Sequence, residues 1–531
     1  MSQQSKISQE PQASRGSQKW LALIAVSIAS FLGCIDFTIV NTALPAIQQH
    51  LQVDFKQLQW VVNAFILALS STLVLAGRLA DSYGRLRVLS LGLILFGIAS
   101  LVAGLTSSLD WLIAARVVQG IGCAVLYTAS AAIVATIFAP SEQGKAFGIL
   151  FGANGVGLAV GPVAGGLITA AWGWQWIFLI NIPFIVLSLG LSWRYVPPQT
   201  QTSQNQSEQN PGLDWLGAIL LLIGLPSLIL TLVQGDSWGW TSPAILTSLG
   251  VAIISLAAFI ITELKVKAPI IDLHLFSNRK FVVSAVASAG LAVFYCVAFF
   301  VMPLYLSVIR QEDLNTVGWL LLPTTLGVAV LSPVVGRIVD AKGPGFLLKT
   351  GFVLFAVSAL IQTTFNAQTP IWTILLAFLA FGIAWASILG PSTVQAIASV
   401  PPHASSVAVG TVSTLHNIGG SIGLALGVLI YRHFAVQELA STTQVSGHEP
   451  WLQQAASNSE QAQGLLTQHL QGSTAQIQSW IEQSFIAGYQ AVMLYLLASV
   501  LIALSIIIYA LRKSVSHPET TLATGQSSSG V

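Results

Sequence analysis

A chain of 531 residues is too long for one ordinary soluble core, and its composition decides the class. Hydrophobic residues make up 54%, charged residues 8%, and the mean hydropathy is +0.77, whereas a soluble domain carries about 25% charged residues. A soluble fold is excluded, and a net charge of +2 gives no indication of a nucleic-acid partner, and none is expected.

Apolar runs long enough to cross a bilayer, which takes roughly 20 residues, recur at 20–40, 59–79, 88–107, 111–138, 146–170, 177–195, 215–233, 243–262, 281–305, 316–336, 346–365, 371–397, 405–431 and 485–511. Fourteen membrane helices follow, the twelfth and thirteenth interrupted by Pro391, Pro401 and Pro402. Membrane β-barrels are excluded, because their strands alternate apolar and polar residues. With the N-terminus in the cytoplasm, seventeen of the 21 Lys and Arg fall in cytoplasmic segments. That orientation satisfies the positive-inside rule and places both termini inside. The first run is too long for a signal peptide. Cys34, Cys123 and Cys296 all lie within spans, where packing is their expected role. No cofactor or metal is expected.

The expected organisation is a disordered cytoplasmic segment over 1–19 and a six-helix bundle over 20–196. A cytoplasmic linker at 197–212 and two inserted helices at 213–262 come next. Five helices at 263–431, an external loop at 432–484, a last helix at 485–511 and a cytoplasmic tail at 512–531 complete the chain. In the loop, Trp451, Leu452, Ala455 and Ala456, and then Ile477, Trp480 and Ile481, recur at helical spacing. They form an apolar face that needs cover, from the protein's own outer surface or from a partner. A mobile spacer is the alternative.

An internal repeat organises the chain. Gly77-Arg-Leu-Ala-Asp81-Ser-Tyr-Gly84-Arg85 after the second span returns as Gly336-Arg-Ile-Val-Asp340-Ala-Lys-Gly343 after the tenth. Gly157, Gly161 and Gly165 in the fifth span are echoed by Gly419, Gly423 and Gly427 in the thirteenth. The fold class is therefore all-α and integral to the membrane, with two six-helix pseudo-repeat bundles and two inserted helices. Parallel repeats of this kind belong to transporters that bind substrate between their halves.

Asp36 is the one acidic residue deep within a span, and burying its charge costs about 2.5–3.5 kcal/mol. Desolvation favours the protonated acid, so Asp36 is a candidate proton carrier. A structural Asp held by a buried donor is the alternative. Arg116 is the one Arg within a span, and it needs an anion or several acceptors because it stays charged. It is expected to hold Asp36 ionised, or else to serve as a polar anchor. His416 in the thirteenth span is either a further proton site or a packing residue. Glycines at four-residue spacing let helices approach closely. Together with the kink at Pro162, this makes Gly157, Gly161, Pro162 and Gly165 a candidate hinge. Gly77, Asp81, Gly84, Arg85 and Asp340 form a candidate cytoplasmic gate, where a carboxylate meets a helix N-terminus or an Arg. The second copy lacks an Arg after Gly343, and its latch is expected to be the weaker. No Walker A pattern occurs, which argues against ATP as the energy source. Candidate cavity residues are Asn41, Asn63, Gln119, Tyr127, Phe151, Asn154, Tyr295, Trp385 and Gln395.

The strings Asp36–Pro45, Gly77–Arg87, Arg116–Gly122 and Gly157–Gly166, with the Trp174–Pro183 segment, resemble the motifs of the major facilitator superfamily. The likeness is closest to its fourteen-helix drug:proton antiporter family and covers residues 20–430. Gln175 departs from the Arg usual at that position. The resemblance implies a proton-coupled exporter of amphiphilic organic molecules, working as a monomer by alternating access in the cell (inner) membrane. Asp36 and Arg116 would serve proton coupling, Gly157–Pro162 the hinge, and Asp81 with Arg85 the gate. A proton symporter importing a small nutrient and an exporter of siderophores or metabolites are the alternatives, and a membrane-embedded enzyme is not expected. Some members of the family work with a periplasmic adaptor, which makes an adaptor a candidate partner of the 432–484 loop.

Overall fold

The computed structural model describes residues 12–53, 55–197, 214–266, 269–271, 273–401, 404–445, 447, 449–457, 459–470 and 473–515. Fourteen helices among them are long and apolar enough to span a membrane. In chain order the first bundle comprises α1 Gln18–Leu51, α2 Gln57–Tyr83, α3 Arg85–Leu105, α4 Leu109–Ile137, α5 Pro140–Trp172 and α6 Trp176–Tyr195. The inserted pair is α7 Trp215–Gly235 and α8 Pro243–Glu263. The second bundle comprises α9 Arg279–Ile309, α10 Thr316–Lys342, α11 Pro344–Gln362, α12 Ile371–Ile397, α13 Ser405–Thr443 and α14 Thr474–Arg512.

The two bundles repeat one packing scheme. In the first, α1 lies against α4, α5 and α6, and α2 and α3 lie against α4. In the second, α9 lies against α12, α13 and α14, and α10 and α11 lie against α12. The bundles meet along two seams related by the same pseudo-symmetry, α5 on α10 and α2 on α13. The α7–α8 pair covers the second seam from outside, with Leu221, Leu225 and Phe259 packed in one cluster with Val74 of α2 and Ile418 of α13.

An even number of spans puts both chain ends on one face, here termed the terminal face. The hydrophobic core on this side is shared, because Val335, Val339, Ala386, Val394 and Val409 of the second bundle join Leu73, Leu89, Val134 and Phe147 of the first. On the opposite side the first bundle has its own cluster, from Ile39 to Phe178, with no member from the second. The bundles are thus sealed together on the terminal face.

Three expectations change. The helix that carries α1 begins at Gln12, so residues 12–19 are helical rather than disordered; 1–11 lie outside the described residues, as do 198–212 of the linker and residue 213 after it. The last helix runs to Val515, so the tail is helical at its start, and 516–531 are again outside the described residues. The segment 432–484 is not a loop over most of its length. Helix α13 continues to Thr443, α14 starts at Thr474, and helices Pro450–Ser457 and Ser459–His469 lie between them. Leu452, Ala455, Ala456, Ala462 and Leu466 bury against Ala435, Leu439 and Ile477, and Trp451 stacks on His469 at 4.5 Å. The apolar face read from the sequence is covered by the protein's own helices.

Candidate functional site

The first bundle closes around one carboxylate. Asp36 and Arg116 are 0% and 1% exposed, and Arg116 Nη1 donates to Asp36 Oδ2 in an ion pair that joins α1 to α4. Arg116 also donates from Nε to Val61 O at 3.0 Å and from Nη1 to Gln119 Oε1 at 2.9 Å. Its guanidinium lies over the Phe65 ring, 4.2 Å from the centroid. Asp36 Oδ1 accepts from Asn181 Nδ2 at 3.3 Å and Gln119 Nε2 at 3.4 Å. Ser100 Oγ accepts from Gln119 Nε2 at 2.9 Å and completes the set. Two buried charges are tolerable only when paired and hydrogen-bonded in this way. Gln119, expected in the cavity, belongs to this network instead. Asn181 and Ser100 were missed: Asn181 stood in a motif string as a polar residue within an apolar run, and nothing in the sequence marks Ser100.

The glycine stripe of α5 sets how α1 sits. A Cβ on Gly157 would lie 3.1 Å from Cys34 Cβ, one on Gly165 would lie 2.6 Å from Ile39 O, and one on Gly161 would overlap Thr38. A second glycine face of α5 meets the other bundle, where a Cβ on Gly155 would lie 2.7 Å from Ala329 N of α10. Helix α5 therefore packs backbone to backbone on both sides, and Pro162 lies within it without ending it.

On the terminal face each bundle offers a carboxylate to the other. Asp81 accepts from Arg85 Nη2 at 3.1 Å and, across the seam, from the backbone N–H of Val407 at 2.9 Å in the first turn of α13. Arg85 donates to Ser405 Oγ at 2.7 Å on the same partner helix. In the repeat, Asp340 accepts from Gly144 N at 2.6 Å and Lys145 N at 2.8 Å near the start of α5. Gly84 and Gly343 turn the chain into the next helix at φ +97° and +76°, a conformation that favours glycine. The second copy, without an Arg after Gly343, still reaches across the seam, because Asp340 makes two bonds to the opposite backbone.

The remaining candidates divide by height. Tyr295 is stacked between Trp385 at 4.9 Å and His416 at 5.5 Å. Tyr127 lies 3.2 Å from Cys34 Sγ through its hydroxyl. Phe151 packs beside Gly390 of α12 and lines a cavity of about 10 Å³ at the seam. Gln395 lies ten residues beyond Trp385 on α12, about 15 Å nearer the terminal face, so it belongs to the sealed end rather than the centre. Asn41 is exposed and bonded to Phe37 O, and Asn63 is half-buried on α2.

A model of the Major Facilitator Superfamily matches residues 26–424. The chain belongs to this superfamily. It is a transporter, not an enzyme. Among superfamily members, it is similar to the riboflavin transporter RibZ of Clostridioides difficile, 29% identical over 434 residues, which are 81% of this chain and 91% of the relative. It is also similar to the puromycin resistance protein pur8 of Streptomyces alboniger, 31% identical over 418 residues, 77% of this chain and 81% of the relative. Its fold matches the crystal structure of the human organic anion transporter MFSD10 with a TM-score of 0.60 at 15% identity, over 94% of this chain and 100% of that one.

Proposed function

We propose that this member of the superfamily is a proton-coupled exporter of amphiphilic organic molecules, a monomer in the cell (inner) membrane with both termini in the cytoplasm. Similarity to a puromycin resistance protein supports export of drug-like molecules. The observation that carries the proton coupling is the sealed ion pair Asp36–Arg116. With Asp36 ionised, the pair ties α1 to α4, and Asn181 ties it to α6. A proton on Asp36 removes the charge that Arg116 answers and loosens α1. Helix α1 rests on the glycine stripe of α5, and α5 rests on α10 of the other bundle, so the loosening reaches the seam through backbone contacts.

With the terminal face as the cytoplasmic one, the bonds of Asp81, Arg85 and Asp340 hold the inner gate closed. The structure then corresponds to the state that releases substrate outward and takes up protons from outside. Protonation of Asp36 would favour opening of the cytoplasmic gate, after which substrate binds and the proton leaves inward.

Purified protein in liposomes with an imposed pH gradient tests this. Uphill puromycin movement against the proton flow is the expected result, and movement unaffected by the gradient would sink proton coupling. Similarity to a riboflavin transporter favours a second reading, proton symport of a nutrient. Counterflow in the same vesicles separates the two by direction.

A further inference from the structure

The inserted pair α7–α8 has no counterpart in either bundle, and its two ends on the terminal face carry acidic residues. An odd-numbered span starts on that face and the next one returns to it, so the chain enters α7 after Asp214 and leaves α8 at Glu263 on the same side. Asp214 is the N-cap of its helix, and its Oδ1 accepts from Gly217 N at 2.9 Å. Glu263 ends its helix, and its Oε2 accepts from the backbone N–H of Ile271 at 3.0 Å. Ile270 and Ile271 lie in one buried cluster with Leu221 of α7, Phe259 of α8 and Val74 of α2. Glu263 thus fastens the hairpin to the segment that leads into α9.

Each carboxylate uses one oxygen on the backbone. The other oxygens, Asp214 Oδ2 and Glu263 Oε1, are buried and have no hydrogen-bond partner among the described residues. Glu263 as a whole is 5% exposed. Both oxygens border the same spot. A Cβ on Gly217 would run into Asp214 Oδ2 and lie 2.8 Å from Glu263 Oε1. Glycine at 217 lets the two oxygens share that place.

Two buried acceptors that meet without a donor need a cation or a proton between them. The surrounding groups decide which. Arg78 of α2, next to Gly77 of the gate loop, acts on Glu263 at electrostatic range. Lys265 and His274, on the segment after α8, are exposed, and Lys267 and Asp272 lie outside the described residues. The neighbouring residue of α13 is Ile418, which carries no charge. Calcium takes about six to eight oxygens and magnesium an octahedron, and two oxygens near an Arg supply neither. A proton needs one donor, one acceptor and no cavity. Two carboxylates sharing a buried site do not both stay charged.

We propose that Asp214 and Glu263 form a proton site separate from Asp36, with one proton held between Asp214 Oδ2 and Glu263 Oε1, and that this bond closes the inner end of the inserted hairpin. An O–H···O⁻ bond of this kind is short and strong, about 2.5–2.7 Å. Loss of the proton leaves two like charges side by side and drives the start of α7 from the end of α8. The hairpin packs over the seam between α2 and α13, so the proton on this pair bears on how tightly that seam is covered. The inference does not depend on the export reading, and failure of uphill transport leaves it standing.

Infrared spectra of the full-length protein in lipid nanodiscs detect protonated carboxyls through their C=O stretch, and an Asp36→Asn background removes Asp36 from the signal. At neutral pH this protein should show a protonated carboxyl that is lost in Asp214→Asn and equally in Glu263→Gln, because each amide supplies the donor permanently. Thermal unfolding gives a second readout. The folded protein keeps a proton that the unfolded chain releases, so the midpoint should fall as pH rises from mildly acidic to alkaline. Either amide alone should flatten that fall. In both variants the amide oxygen stays on its backbone N–H, so the double variant sets donor against donor and should unfold at a lower temperature than either single one. No protonated carboxyl at neutral pH, a signal or a pH dependence unchanged in both single variants, or a double variant as stable as the singles would overturn the proposal. Stabilisation by calcium that is lost in Asp214→Asn would make the pair a cation site and overturn it as well.

Discussion

Asp340 reaches across the seam between the bundles and accepts the backbone N–H of Gly144 at 2.6 Å. It belongs to the copy of the loop motif that lacks the Arg of its partner, yet it holds the opposite bundle through two backbone bonds, from Gly144 and Lys145. Charged acceptors at such positions are worth about 1.5–3 kcal/mol each. Asp340→Asn should therefore open the terminal face, as should Asp81→Asn. The readout is the labelling rate, by a bulky water-soluble maleimide, of a cysteine placed at Gln395. A rise of about tenfold or more is expected in each variant, and an unchanged rate in Asp340→Asn would remove it from the gate.

The Asp36–Arg116 pair makes a stability prediction separate from transport. Arg116→Leu leaves a buried carboxylate without its charge partner, a loss of about 3–5 kcal/mol. Thermal unfolding in detergent should show a large fall in midpoint. Adding Asp36→Asn should recover much of it, because the unanswered charge is gone. If the double variant is no more stable than Arg116→Leu, the pair is not energetically coupled.

Coupling by Asp36 is tested by Asp36→Asn alone. The amide keeps the size of the side chain and cannot carry a proton in and out. Transport down a substrate gradient should persist, while a pH gradient should no longer drive accumulation. Wild-type accumulation by Asp36→Asn would end its assignment as the proton carrier.

The glycine stripe gives a contrast within one helix. A Cβ at Gly161 would overlap Thr38 of α1, whereas one at Gly166 would meet nothing within 4 Å. Gly161→Val should destabilise the protein and stop transport, while Gly166→Val should leave both nearly unchanged. Similar loss in both variants would mean that helix propensity matters here rather than the α1–α5 approach.

The helical cap after α13 should behave as a folded unit. Leu466 is 0% exposed in its core, and Leu466→Ala should cost about 2–5 kcal/mol locally. Limited proteolysis should then cut between Thr443 and Thr474 faster than in the unaltered protein. Equal cutting rates would return this segment to a mobile spacer.

Much was legible without coordinates, because a bilayer leaves few options for the backbone. Apolar length and loop charge are local properties, so helix number and the inserted pair could be read directly. Repeated glycines and loop motifs exposed the duplication, and Asp36 and Arg116 stood out because charge in hydrocarbon is rare. Helix ends were less legible: α13 and α14 continue well beyond their apolar parts because their outer turns bury against the two short helices between them.

The sequence by itself determined the class, the fourteen spans, the pseudo-repeat and the candidate residues for charge and close packing, since each follows from composition or from periodicity along one helix. Only the tertiary structure decided which side chains meet. It brought Asn181 and Ser100 to Asp36 and drew Gln119 out of the expected cavity. It gave Asp340 the backbone of α5 and set Tyr295 between Trp385 and His416. The physical reason is that a contact between helices depends on rotation and register about two axes. No spacing within one helix encodes these, and they are fixed only when glycine faces and buried hydrogen bonds are satisfied together across the bundle.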